Sequence, residues 1–135
     1  MISACHEHRV QLFDLDAMQV VWHGNYVRLF EQARSALFDR IGYNYPQMDT
    51  SDYLWPIVDM RVKFLRPATF GQQLCTTATL GEYENRLRID YVTRADDHEH
   101  PVCSGFTIQA AVERHSGEML YRTPDFLIER IRALL

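Results

Sequence analysis

Basic charge is scarce in this chain: 14 Lys and Arg stand against 18 Asp and Glu, for a formal net charge of −4. Nucleic-acid binding depends on clustered cations that displace counterions from phosphates, so nucleic acid is not an expected partner. Long apolar runs are missing as well. No stretch approaches the ~20 residues that span a bilayer, and "MISACHEHRV" lacks the cationic start and apolar run of a signal peptide. No membrane partner is expected, and the expected location is cytoplasmic. Cysteine is sparse: Cys5, Cys75 and Cys103 are an odd number with no CxxC spacing, a pattern that argues against a disulfide framework or a zinc site and for buried thiols. His6 with His8, and His98 with His100, alternate without a neighbouring cysteine or a second pair at metal-site spacing, so no metal and no cofactor is expected. A GxSxG nucleophile elbow is also absent, since none of Ser3, Ser35, Ser51, Ser104 and Ser116 has glycines on both sides at that spacing.

What is present is globular. The chain has 135 residues, 47% of them hydrophobic and 24% charged, with no internal repeat, which suits one domain over residues 1–135. From Tyr26 the apolar positions Tyr26, Leu29, Phe30, Ala33, Leu37 and Ile41 share one face at a 3.6-residue period. The spacing predicts a long amphipathic helix with Asn25 as N-cap and Gly42 as its C′ residue. After "YNYPQMDTSDY" the period becomes two. Val58, Met60, Val62 and Phe64 alternate with Asp59, Arg61 and Lys63, and "RPATFG" breaks the run. Alternation resumes at Leu74–Leu80, Leu87–Tyr91 and Phe106–Val112, with "GEYEN" as a hairpin between the first two. Val10–Leu15 reads as a further short strand, and Thr123-Pro124 opens a C-terminal helix. The fold class is α+β: a long central helix laid across and wrapped by a curved antiparallel sheet, plus a short C-terminal helix.

The stretch "FDLDAMQVVWHGNYVRLFEQAR" places Asp16 and His23 just ahead of the long helix. A helix start offers free N–H groups and a positive dipole end where negative charge can develop. A carboxylate beside it can act as nucleophile or as general base toward water, and a histidine can orient, donate or accept a proton. These are the parts of an acyl-transfer site. A thioester suits them, because a thiol leaving group with a pKa of about 8.5 need not be protonated as it departs. The structural alternatives are an Asx turn for Asp16, a turn or cap for His23 and core packing for Trp22. Asp14 alternates with Asp16, and Glu31 is a second acid within the helix.

"D-x-D-A-x-x-V-V-x-H-x-N-Y" followed by "F-E-x-A-R", over Asp14–Arg34, resembles the signature of the hotdog-fold acyl-CoA thioesterases, in the 4-hydroxybenzoyl-CoA thioesterase and YbgC-like family. "VKFLRPATFGQQL" is similar to that family's second strand and following turn. The resemblance implies a hotdog fold and hydrolysis of an acyl-CoA to free acid and coenzyme A. It further implies Asp16 and His23 as catalytic residues, with the N–H groups of His23 and Gly24 polarising the carbonyl. Trp22, Asn25, Tyr26 and Trp55 would meet the substrate, and Arg86, with Arg88 as a weaker candidate, would meet the nucleotide end of coenzyme A. It also implies a homodimer or homotetramer with the site between subunits. Gln19 departs from the pattern, because the family usually has glycine there; it leaves open a non-catalytic acyl-CoA or acyl-carrier binding module.

Overall fold

The apolar stripe read from helical spacing is the face that the molecule buries. In the computed structural model, which describes residues 1–135, helix α1 runs Asn25–Ile41, and Tyr26, Leu29, Phe30, Ala33, Leu37 and Ile41 are all buried. Gly42 ends it as expected, in the left-handed region at φ 81°, with its N–H donating to the carbonyls of Phe38 and Asp39. The helix start differs from the expectation. Asn25 is the first helical residue and Gly24 the cap, because the Asn25 side chain is used elsewhere: its Nδ2 donates to the Asp14 carbonyl at 2.8 Å.

Five strands form the sheet under this helix: β1 (Ser3–Arg9), β3 (Ile57–Phe64), β4 (Gln73–Glu82), β5 (Leu87–Ala95) and β6 (Cys103–Gln109), in the order β1-β4-β5-β6-β3. Every neighbouring pair is antiparallel. The inward residues of the two central strands, Leu74, Ala78 and Leu80 on β4 and Leu87, Ile89 and Tyr91 on β5, are buried against α1, and the Phe30 ring stacks on Tyr91 with centroids 4.4 Å apart. Each large side chain buried this way contributes about 1.5–3 kcal/mol, so the helix–sheet contact dominates the fold. Two polar pairs trapped in it satisfy each other, Thr76 Oγ1 with Thr93 Oγ1 and Tyr91 Oη with Thr107 Oγ1, both at 2.8 Å, whereas His6 Nε2 on β1 has no partner. A minor sheet pairs β2 (Tyr53–Leu54) with β7 (Val112–Glu113), and α3 (Asp125–Arg132) buries Leu127, Ile128 and Ile131.

Three sequence expectations are corrected here. The first strand is Ser3–Arg9 and not Val10–Leu15; the latter segment turns away, with a single 3₁₀ turn at Leu12–Asp14. The inward positions of β1 are Ala4, His6 and His8, opposite Ala78, Thr76 and Leu74, and small or polar residues there conceal the alternation. The connection after α1 contains a short helix, α2 (Tyr45–Asp49), capped by Asn44 with Gln47 completing the capping box. Cys5 and Cys75 are disulfide-bonded across β1 and β4, their Cα atoms 6.5 Å apart. Only Cys103 is a buried thiol, and burial pushes it up to about 12.

Gly105 on β6 lies directly under the Phe30 ring of α1. A Cβ added there would collide with the carbonyl oxygen of Arg61 and the ring of Phe30. Gly105→Ala is therefore expected to lower the unfolding free energy by about 1–3 kcal/mol in a denaturant titration, the usual range for overpacking.

Candidate active site

The residues ahead of α1 form a tight hairpin closed by a bridge between Leu15 and Val21. Inside it the Asp16 N–H donates to Val20 O at 2.9 Å, and the Gln19 N–H donates to Asp16 O at 3.0 Å. Asp16 Oδ1 accepts from the Met18 N–H at 2.8 Å. That is the Asx turn weighed as the structural alternative, and it occupies only one carboxylate oxygen; Oδ2 has no partner in the chain. The hairpin is pinned outward at the other end, where the Val21 N–H donates to Ala68 O at 2.9 Å.

Gln19 carries the conformational demand of this turn. Its φ is 63°, the only non-glycine residue with positive φ. Glycine takes that conformation without steric cost, whereas a residue with a Cβ pays about 1–2 kcal/mol. The backbone turn is kept despite the glutamine, and the side chain is exposed and lies outside the cavity that Asp16 lines.

At the helix start the Asn25 N–H donates to Trp22 O at 2.9 Å and the Tyr26 N–H to His23 O at 3.4 Å. The N–H groups of His23 and Gly24 donate to no atom of the chain. A glycine cap supplies no side chain to occupy them, and a Cβ at Gly24 would meet the Trp22 ring, 2.5 Å away. Asp16, His23 and Tyr26 line one open cavity of about 300 Å³, together with Phe64, Arg66 and Pro67. The His23 ring is exposed, without a hydrogen bond, and lies between Trp22 and Phe64 at centroid distances of 5.1 and 6.1 Å. Tyr26 is the buried floor. Burial pushes its hydroxyl up to about 12, with nearby Cys103 adding to the shift and a hydrogen bond to the Ala68 backbone opposing it, so it stays protonated at neutral pH.

The other expected residues lie apart from this cavity. Trp55 is buried in the core, its Nε1 donating to Tyr43 Oη at 2.9 Å, and lines a separate hollow with Tyr53 and Arg114. Asn25 ties the loop to the helix and does not face the cavity. Trp22 is half-exposed and covers Gly24. Arg86 sits on the β4–β5 hairpin, held by Glu82 at 3.2 Å, and Arg88 lies over the Phe106 ring at 4.2 Å. Glu31 is paired with Arg34 at 2.6 Å and is outside the cavity. Sequence reasoning missed Phe64 and Arg66 as cavity residues; "RPATFG" was legible as a break, but its return beside the hairpin depends on strand pairing.

Residues 18–88 match the model of the thioesterase superfamily. The chain belongs to the thioesterase superfamily. The match begins two residues after Asp16 and includes His23 and Gly24. Among curated relatives of this thioesterase-superfamily chain, a Bacillus subtilis protein named as the acyl-CoA thioesterase YneP is 29% identical over 77 residues, which are 57% of this chain and 56% of that protein. The alignment thus spans little more than half the length of that relative. Among solved structures, DHNA-CoA thioesterase from Staphylococcus aureus has a TM-score of 0.83 at 22% identity, covering 99% of this chain and 93% of that one. A mutant of 4-hydroxybenzoyl CoA thioesterase complexed with 4-hydroxybenzoyl CoA has a TM-score of 0.82 at 17% identity, covering 96% and 99%. These likenesses show that the α1-on-sheet arrangement is the hotdog fold.

The strain at Gln19 is directly testable. Gln19→Gly is expected to match or exceed the parent in thermal stability, while Gln19→Val, whose branched Cβ fits positive φ worst, is expected to lose at least about 1 kcal/mol. Equal melting temperatures for the glycine and valine variants would contradict the assigned backbone.

Proposed function

We propose that residues 1–135 act as one thioesterase domain that hydrolyses an acyl-CoA to the free acid and coenzyme A. The observation that carries the reading is the convergence of the Asp16 carboxylate, with one oxygen unpartnered, and the unpartnered N–H groups at the α1 start beside a shared cavity. The thioester carbonyl oxygen would accept from the His23 and Gly24 N–H groups, which stabilise the negative charge that builds on it. Asp16 Oδ2 would either attack the carbonyl carbon, expelling the thiolate and forming a mixed anhydride that water then cleaves to the free acid and the Asp16 carboxylate, or take a proton from a water that attacks the carbon as the thiolate leaves. His23, exposed and unbonded, would order the water or the leaving sulfur. The absence of a serine nucleophile is consistent with this route, and the superfamily membership and the names of the relatives point to the same reaction class. A cytoplasmic location fits a coenzyme A ester as substrate.

The site also favours a second copy as partner. Strand β3 is a sheet edge, and Ile57, Val58 and Phe64 on it are exposed, with Phe64 lining the Asp16 cavity. An unpaired edge carrying apolar side chains is a surface that proteins ordinarily cover. Pairing of two β3 edges would cover it and enclose the cavity between subunits, as the sequence resemblance implies.

Thiol release from a panel of short, long and aryl acyl-CoA esters is the deciding assay. Asp16→Asn is expected to reduce kcat by at least about 100-fold with unchanged folding, and His23→Ala by a smaller factor because the backbone donors survive. Full activity of Asp16→Asn sinks the assignment, and tight binding without turnover across the panel favours a non-catalytic acyl-CoA or acyl-carrier binding module. For the edge, Val58→Glu is expected to shift the oligomer seen in sedimentation toward monomer; an unchanged sedimentation coefficient argues for a different interface.

A further inference from the structure

Asp14 and His8 have no place in the reaction just described, yet they form the most heavily bonded polar unit in the N-terminal part of the chain. Asp14 Oδ2 accepts from His8 Nε2 on β1 and from the Gln11 N–H, each at 2.7 Å. The carbonyl of the same residue accepts from the Trp22 N–H at 2.9 Å and from Asn25 Nδ2 at 2.8 Å. Its side chain is therefore fastened to the sheet and its main chain to the helix start. Asp16 is two residues further along, and the first free donor, the His23 N–H, is one residue beyond Trp22. Asp14 lines a cavity of about 140 Å³ with His8, Asn25 and Arg28, separate from the cavity that Asp16 lines. Val21, the closing residue of the hairpin, borders both.

We infer that the His8–Asp14 pair is a positioning device that sets the distance between the Asp16 carboxylate and the N–H groups of His23 and Gly24. This rests on the proposed role of Asp16. Asp14 is outside the cavity that Asp16 lines and accepts from neither the His23 nor the Gly24 N–H; it holds both ends of the reacting geometry through one residue. Half of it is side-chain chemistry that a substitution can remove while leaving the backbone intact. Without the His8 bond the 3₁₀ turn at Leu12–Asp14 keeps its own hydrogen bonds but loses its link to β1. A misplacement of about 1 Å in a reacting group can cost ~100-fold in rate. The effect belongs in kcat, because the walls that hold the substrate are elsewhere. The pair also separates two acids that stand two residues apart: Asp14 is satisfied by its own donors and held away from Asp16, which leaves Asp16 as the one acid facing the substrate cavity.

The test compares the parent with His8→Phe, His8→Gln and Asp14→Ala. His8→Phe keeps a ring and removes the donor, His8→Gln restores a neutral donor, and Asp14→Ala keeps the carbonyl and removes the carboxylate. The expected result is a ~10- to 100-fold fall in kcat for His8→Phe and Asp14→Ala, KM within about threefold of the parent, and recovery to within about threefold in His8→Gln. Amide hydrogen exchange at Val21 and Trp22 is expected to quicken in the first two and to match the parent in His8→Gln. Parent-level kcat in His8→Phe, equal losses in His8→Gln and His8→Phe, or KM rising in step with the fall in kcat would each overturn the inference. If His8→Phe does not fold, Asp14→Ala decides by the same criteria. If Asp16→Asn proves fully active, the reaction assignment fails by itself, and unaltered exchange at Val21 and Trp22 in His8→Phe then rejects the tether independently.

Discussion

Burial of one face of α1 on the concave side of the sheet is the contact that everything else in this molecule inherits. α1 lies nearest β1 and β4, Phe30 stacks on Tyr91 of β5, and Gly105 on β6 leaves room for the Phe30 ring. Once the axis is fixed, the helix start has only one place to be, near the turn that follows β3. Free N–H groups at a helix start are common and normally face water; here the packing brings His23, whose N–H has no partner in the chain, to a hollow that Asp16 also lines.

The loop ahead of the helix solves a different problem, which is holding a carboxylate still on a segment with no regular structure. It uses a closed hairpin, an Asx turn and a left-handed residue, three local devices within seven positions. Each restricts the backbone without burying Asp16. The cost falls at Gln19, where a conformation suited to glycine is imposed on a longer side chain. Such strain persists only where neighbouring bonds over-determine the turn, and the pinning of Asp16, Gln19 and Val21 by main-chain hydrogen bonds does so here. Exposure of the Gln19 side chain means that its cost is in backbone geometry alone.

Superfamily membership points to thioester chemistry. Phe64, at the end of β3, lines the Asp16 cavity, and Ile57 and Val58 on the same strand are exposed. Trp55, which the motif resemblance put against the substrate, is instead committed to the core through Tyr43 and Gln109, so its indole shapes the cavity only by holding the β2–β3 junction in place.

Local chemistry was readable without coordinates. The 3.6-residue stripe of α1, its Gly42 terminus, the alternation in β3 to β6 and the Asp16–His23 placement ahead of a helix all rest on interactions among near neighbours in the chain, and residue type reports those directly. Histidines facing inward on β1 broke the expected alternation; the inward placement of His8 is licensed by Asp14, a partner that no local pattern displays, and His6 Nε2 has none. Neither the disulfide between Cys5 and Cys75, the burial of Trp55 nor the joining of Phe64 and Arg66 to the Asp16 cavity could be read, since each is set by strand order and register. The sequence by itself determined the long helix α1, the strand runs that became β3 to β5, and which residue types could do acyl transfer. Tertiary structure alone decided which of those residues meet, because strand pairing brings together groups far apart in the chain through a register that depends on the whole sheet.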